Sequence, residues 1–330
     1  MGFRILLLLI IGLVLFLSGI KLLGHSLKEA GGKRSQQILQ KYAKDAFRST
    51  IAGTAVTAII QSSSATTVMV VALVNAGMLS MVQAAGVILG ANIGTTITSQ
   101  IIAFEVSNLA PLVIFTGLGI VIFCRQKTLK LAGKIVCGLG VVFLGMDVMS
   151  YAMEPMKEVP WFINFLTHFE NPLFGVLAGI IMTATIQSSS ASIAILQTLA
   201  ASGALSLSNC IYLLYGYNIG TCVTALLACI GLNVAAKRAA LLHVLFNVAG
   251  VLFFILLEPL GISYINFVES LTPNDPVRQI ANAHTVFNIL SALVIYPFIK
   301  VMVNFTERLI PEHSWEKRKN LSTKKYAKAL

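Results

Sequence analysis

The sequence predicts an all-α integral membrane protein built from two inverted-topology repeats. Each repeat holds a re-entrant helical hairpin, giving about seven transmembrane helices plus the two hairpins. Three observations predict this. First, the 330 residues are 56% hydrophobic and only 11% charged, with a mean hydropathy of +0.83. A soluble protein of this size needs more charge on its surface. Second, Gln61-Ser62-Ser63-Ser64-Ala65 returns 126 residues later as Gln187-Ser188-Ser189-Ser190-Ala191. Third, Lys and Arg gather on one side of the membrane only if both repeated motifs sit in hairpins.

The elements follow in order. Apolar runs at 5–23, 82–103, 109–124, 135–152, 209–230, 239–257 and 279–299 are long enough to read as crossings of a ~30 Å core. The run 5–23 has no A-x-A cleavage site and precedes a basic segment, so it reads as a retained helix. The apolar stretches 49–78 and 172–203 are each interrupted at the centre by the Gln-Ser-Ser-Ser motif. From Thr50 to Ile60 the chain makes about 16 Å of helix, half the core thickness. These two stretches therefore read as hairpins.

The same spacing carries Gly53 onto Gly179, Thr57-Ala58 onto Thr183-Ala184, Gly77 onto Gly203 and Ser80 onto Ser206. It carries Asn92-Ile93-Gly94-Thr95 onto Asn218-Ile219-Gly220-Thr221, and Thr98 onto Thr224, without a gap. A duplication whose matching residues are polar and lie at membrane depth marks a transporter made of two repeats. The expected division is 1–132 for the first repeat (helix, hairpin 49–78, two helices). The second repeat, 133–305, has a helix, hairpin 172–203, two helices and an extra helix at 279–299. A basic cytoplasmic tail follows at 306–330.

Charge orients the chain. With hairpins at the two motifs, 24–48, 125–134, 231–238 and 300–330 are cytoplasmic and hold 20 of the 24 Lys and Arg. The N-terminus is then outside and the C-terminus inside. Three crossings separate the motifs, so the second hairpin enters from the opposite side. The net charge of +11 reflects this loop bias and not a nucleic-acid partner. The five cysteines show no C-x-x-C and read as small apolar filler.

A hairpin tip exposes free N–H groups at the start of its second helix, which favour an anion. The end of its first helix exposes carbonyls, which suit a cation such as Na⁺. Gln61 and Gln187 add an amide each, and the serines add hydroxyls. Gly90, Gly94, Gly216 and Gly220 are expected unwinding points beside Asn92, Thr95, Thr98, Asn218, Thr221 and Thr224. His243-x-x-Phe-Asn247 and His284-x-x-Phe-Asn288 echo each other on later helices, with interhelical hydrogen bonding or substrate contact as their role. Lys21 is expected to snorkel. Neither motif region holds Lys or Arg, so an anion would be neutralised by helix N-termini, hydroxyls and bound Na⁺ rather than by a fixed charge.

These motifs resemble the type II sodium–phosphate cotransporter family over residues 5–305. The resemblance rests on Gln-Ser-Ser-Ser-Ala-Thr-Thr, Gly-Ala-Asn-Ile-Gly-Thr-Thr, the second copy and His-x-x-Phe-Asn. It implies sodium-coupled symport of inorganic phosphate, by an elevator-like or rocking mechanism, in a bacterial inner membrane. It implies a sodium site at Gln187, Ser188, Thr221 and Thr224. Their first-copy counterparts Gln61, Ser62, Thr95 and Thr98 are further candidates. It implies a phosphate site at Ser63, Ser64, Ser189 and Ser190, to which Asn92 and Asn218 are added. His243, Asn247, His284 and Asn288 are expected to support the site. No catalytic residue and no cofactor beyond the coupling ion are expected. Animal members carry His-Asp-x-Phe-Asn in the first repeat. Here the first repeat has no such motif, and the later copies carry Val244 and Thr285, which leaves the sodium stoichiometry open. The rival classes are an intramembrane serine hydrolase, a channel or passive phosphate exporter, and a sodium-coupled carrier of sulfate or a dicarboxylate. The first lacks G-x-S-x-G.

Overall fold

The computed structural model describes residues 2–104, 109–159, 162, 164, 166 and 168–311. The expected tail beyond residue 311 lies outside them. Every regular element among the described residues is helical: α1 (Gly2–Tyr42), α2 (Ala46–Ile60), α3 (Ser63–Asn75), α4 (Met81–Ile102), α5 (Ala110–Phe123), α6 (Lys127–Met153), α7 (Pro172–Ile186), α8 (Ser189–Ala201), α9 (Leu207–Gly220), α10 (Cys222–Ala228), α11 (Val234–Leu257), α12 (Tyr264–Leu271), α13 (Pro276–Ile295) and α14 (Ile299–Leu309). Among them, 6 spans are long and apolar enough to cross a membrane. The run 109–124 forms only the 14-residue α5, about 21 Å long. The run 5–23 extends as one helix through the basic segment to Tyr42, 41 residues in all. Large apolar side chains stay exposed on α1 (Leu6, Ile10, Val14) and α5 (Leu112, Phe115, Ile122). Lipid rather than water is the solvent that suits them.

Both interrupted stretches turn back on themselves. Thr57 Oγ1 donates to Thr66 Oγ1 at 2.9 Å across the first motif. In a continuous helix those residues would stand about 13 Å apart. The first arm of each hairpin lies parallel to a later helix, backbone to backbone. A Cβ on Gly90 would meet the Thr50 carbonyl oxygen at 1.9 Å, and one on Gly94 the Thr54 oxygen at 2.5 Å. In the second copy, Gly216 meets the Val176 oxygen at 2.1 Å and Gly220 the Ile180 oxygen at 2.7 Å. The register between α2 and α4 thus recurs between α7 and α9.

The expected unwinding at these glycines is not what the structure shows. α4 runs unbroken through Gly90 and Gly94, and α9 through Gly216. The chain leaves the helix only at Thr221, one residue past Gly220, where α9 ends and α10 begins. These glycines are contact points that let two backbones touch.

Polar contacts tie the loops at one end of the molecule. Lys127 pairs with Glu29 at 3.3 Å. Gln83 Nε2 donates to the Ala43 oxygen at 2.5 Å, and Asn233 binds Asn75 through both amides. Arg238 donates to the Ile310 oxygen at 2.9 Å. Segments 24–48, 125–134, 231–238 and the start of 300–330 thus each take part in these ties. The Arg278 guanidinium lies over the Phe104 ring, 4.6 Å from its centroid, near the far end of α4.

Candidate substrate and ion site at the hairpin tips

Each tip is a two-residue break built the same way. Gln61 and Gln187 take the left-handed conformation (φ 56° and 57°), and each N–H bonds back to Thr57 or Thr183. Left-handed backbone disfavours a side chain by about 1–2 kcal/mol, so the glutamines sit where glycine would be easier. Ser62 and Ser188 then extend the chain (φ −152° and −145°) and cap the returning helices. Their hydroxyls accept from the N–H groups of Ala65 and Ala191 at 3.2 and 3.3 Å. The N–H groups at the starts of α3 and α8 have no partner within their helices, and the helix dipole adds partial positive charge there.

Much of what the duplication preserves is this backbone mechanics. Gly77 and Gly203 hold positive φ after α3 and α8. Ser80 and Ser206 cap α4 and α9.

The tips meet. One cavity of about 290 Å³ is lined by Gln61 and Ser62 from the first hairpin, Ser188 and Ser190 from the second, and Thr98 from α4. Thr98 Oγ1 donates to Gln61 Oε1 at 2.5 Å, and Gln61 Nε2 donates to the Ala58 oxygen at 2.5 Å. The other wall is α1, through Lys21, His25 and Lys28. The sequence placed no fixed positive charge at the site because neither motif holds one. α1 brings Lys21 and Lys28 to the cavity wall from outside the motifs. Three basic residues on one helical face after an apolar run were the signal. Lys21 lines this cavity and stays exposed.

The remaining candidates lie around the cavity without lining it. Ser63 and Ser189 are buried beside the tips, and Ser64 is half-buried. Gln187 is exposed. Thr221 Oγ1 donates to the Tyr217 oxygen and Thr224 Oγ1 to the Thr221 oxygen, both at 2.9 Å. Spending their protons on carbonyls leaves hydroxyl lone pairs free to face a cation. The copies differ here: Gln61 is bonded to Thr98, whereas Thr224 bonds within its own helix. Thr95 Oγ1 is buried without a partner. Asn218 Nδ2 donates to the Leu214 oxygen at 2.9 Å.

Asn92 leads to the histidine–asparagine motifs. Its Nδ2 donates to Asn247 Oδ1 at 3.2 Å, and Asn247 donates to the His243 oxygen at 2.9 Å. In the second motif Asn288 donates to the His284 oxygen at 2.8 Å, and His284 Nδ1 meets Ser99 Oγ at 3.1 Å. These residues join α11 and α13 to α4, and none of them lines the cavity. Gln197 and Gln100 extend the same network. Gln197 Nε2 reaches the oxygens of Ser99 and Val277, and Gln100 Nε2 reaches Asn282 and Thr285. Neither lies in a repeated motif, and the sequence did not single them out.

Comparison with known proteins agrees with the motif resemblance. A family described as Na+/Pi-cotransporter matches residues 15–151 and 160–268. "Uncharacterized protein YqeW" of Bacillus subtilis is 31% identical over 91% of this chain and 96% of its own length. "Putative inorganic phosphate export protein YjbB" of Escherichia coli K12 is 28% identical over 84% of this chain. The chain spans 51% of that relative's length. Human "Sodium-dependent phosphate transport protein 2B" is 27% identical over 58% of this chain and 30% of its own. No solved structure matches. A membrane protein with paired hairpin tips and these matches over most of its length belongs to the Na+/Pi-cotransporter family.

Proposed function

We propose that this chain is a secondary active transporter that couples Na⁺ to the uptake of inorganic phosphate across a bacterial inner membrane by alternating access. The observation that carries this is the convergence of two capped helix starts, at Ser62 and Ser188, on one cavity. Two helix N-termini and several hydroxyls suit a tetrahedral oxyanion. Ser63, Ser64, Ser189, Ser190, Asn92 and Asn218 are the proposed phosphate-binding group. Carbonyls and hydroxyls at the helix breaks suit Na⁺, which takes oxygen ligands. Gln187, Ser188, Thr221 and Thr224 form one proposed sodium site, and Gln61, Ser62, Thr95 and Thr98 a related one.

The proposed topology is inverted, with the N-terminus outside and the C-terminus inside. The Lys127–Glu29 pair supports it, since single crossings at the motifs would put those residues on opposite sides. Identical tip geometry in both copies supports the repeat.

The decisive experiment is uptake of labelled phosphate into proteoliposomes, with sulfate and succinate as competitors. A sodium gradient should drive phosphate accumulation above the external concentration. Equilibration without accumulation would instead favour passive export, the direction in the printed name of the Escherichia coli relative. Competition by sulfate or succinate at equal concentration would move the substrate to another oxyanion.

A further inference from the structure

We propose that Lys21 and Lys28, with His25 between them, form a basic wall at the cytoplasmic mouth of the cavity between the hairpin tips and hold the phosphate oxyanion there. The inference rests on the phosphate reading above and adds residues that lie outside both motifs. Positions 21, 25 and 28 fall on one face of α1, four and three residues apart. That face lines the same cavity as Ser62, Ser188 and Ser190. Gly24, between them, also lines the cavity and has open space where a Cβ would stand. Among the described residues, no carboxylate lines the cavity. The nearest acid along α1, Glu29, pairs with Lys127 at 3.3 Å and so is engaged elsewhere.

The electrostatics are additive in sign. Two ammonium groups and two helix N-termini border one opening, and walls of low dielectric focus their field. The lysines are exposed. In the proposed orientation residues 24–48 are cytoplasmic, so the lysines' effect is on phosphate bound from that face, with a strong dependence on ionic strength. The shared chemistry is a phosphate oxyanion. The source proposed is free inorganic phosphate, and the competing source is the headgroup of an anionic lipid.

The test compares wild-type protein with the Lys21→Gln/Lys28→Gln double variant and a Lys21→Arg/Lys28→Arg control. Sodium-dependent phosphate exchange is measured, with phosphate varied at the cytoplasmic face, in purely zwitterionic vesicles and in vesicles containing phosphatidylglycerol. The Gln pair should raise the KM for phosphate at the cytoplasmic face about tenfold with Vmax and sodium dependence kept, and should flatten the salt dependence of that KM. The Arg pair should restore the wild-type KM. An unchanged KM in zwitterionic vesicles overturns the proposal. A defect seen only with phosphatidylglycerol assigns the wall to lipid and also overturns it. Loss of Vmax and sodium response together in both pairs marks a packing role and overturns it as well.

Calorimetric titration of the detergent-solubilised protein with inorganic phosphate separates this proposal from the symport reading. If wild-type protein shows no sodium-driven uptake, symport fails. A weaker phosphate affinity in the Gln pair still supports the wall, and an equal affinity refutes it.

Discussion

At the residue scale, the atoms proposed to hold the ligand also serve the backbone. Thr221 sits at the break between α9 and α10 with its proton committed to Tyr217, so its oxygen acts only as an acceptor. Val matches its shape and lacks that oxygen. Thr221→Val should therefore raise the sodium concentration for half-maximal uptake several-fold and move the phosphate KM less. Gln187→Ala should act in the same direction. Sodium titrations of uptake at saturating phosphate check both, and an unchanged sodium dependence in Thr221→Val removes it from the site. The tips were legible in the sequence because a repeated polar string inside an apolar stretch has few structural uses. Two things about them were not legible. A glutamine in left-handed backbone leaves no compositional trace. The Gln61–Thr98 bond spans 37 residues, a contact that only the packing of α2 on α4 creates.

At the element scale, the repeat is above all a packing device. Gly90 and Gly216 let α4 and α9 touch the first arms of the hairpins, and the tips are held where those arms end. A methyl group at Gly90 would lie 1.9 Å from the Thr50 oxygen, and one at Gly216 would lie 2.1 Å from the Val176 oxygen. Both neighbours are backbone, so the helices must separate. Overpacking of this kind costs about 1–3 kcal/mol or more. Gly90→Ala and Gly216→Ala should lower the melting temperature of the detergent-solubilised protein and reduce uptake. Gly119→Ala is the control. It has nothing within 4 Å and should be neutral or slightly stabilising, because Ala suits a helix interior better. Equal melting of all three would show that the close approach does not bear on stability. The spacing of these glycines was visible in the sequence, but their use was not. Glycine serves equally to unwind a helix and to admit a neighbour, and only the partner backbone distinguishes the two. The length of α1 was hidden for a related reason. Hydropathy ends the span near residue 23, whereas the polar residues after it remain good helix formers.

At the scale of the whole molecule, topology and charge movement are linked. In a background without native cysteines, Lys41→Cys should label from the cytoplasmic side and Glu154→Cys from the outside, both positions being exposed. Labelling of both from one face would sink the inverted arrangement. That orientation then fixes the electrical work of uptake. Moving HPO₄²⁻ into a cell against ~100 mV, inside negative, costs about 4.6 kcal/mol, twice the value for one charge. Two Na⁺ cancel that term and leave the concentration gradients as the only driving force, whereas a third would add the potential. The cationic wall does not alter this balance, because Lys21 and Lys28 return with the protein in every cycle and carry no net charge across. His243-x-x-Phe-Asn247 and His284-x-x-Phe-Asn288 carry Val244 and Thr285 after the histidine, so neither motif holds an acid for a third cation. Transport should therefore be electroneutral at two Na⁺ per phosphate. Under voltage clamp, phosphate should evoke no steady current, while labelled sodium and phosphate enter in a two-to-one ratio. A sustained phosphate-dependent inward current would require a third Na⁺ and a ligand for it beyond the residues that converge on the tips.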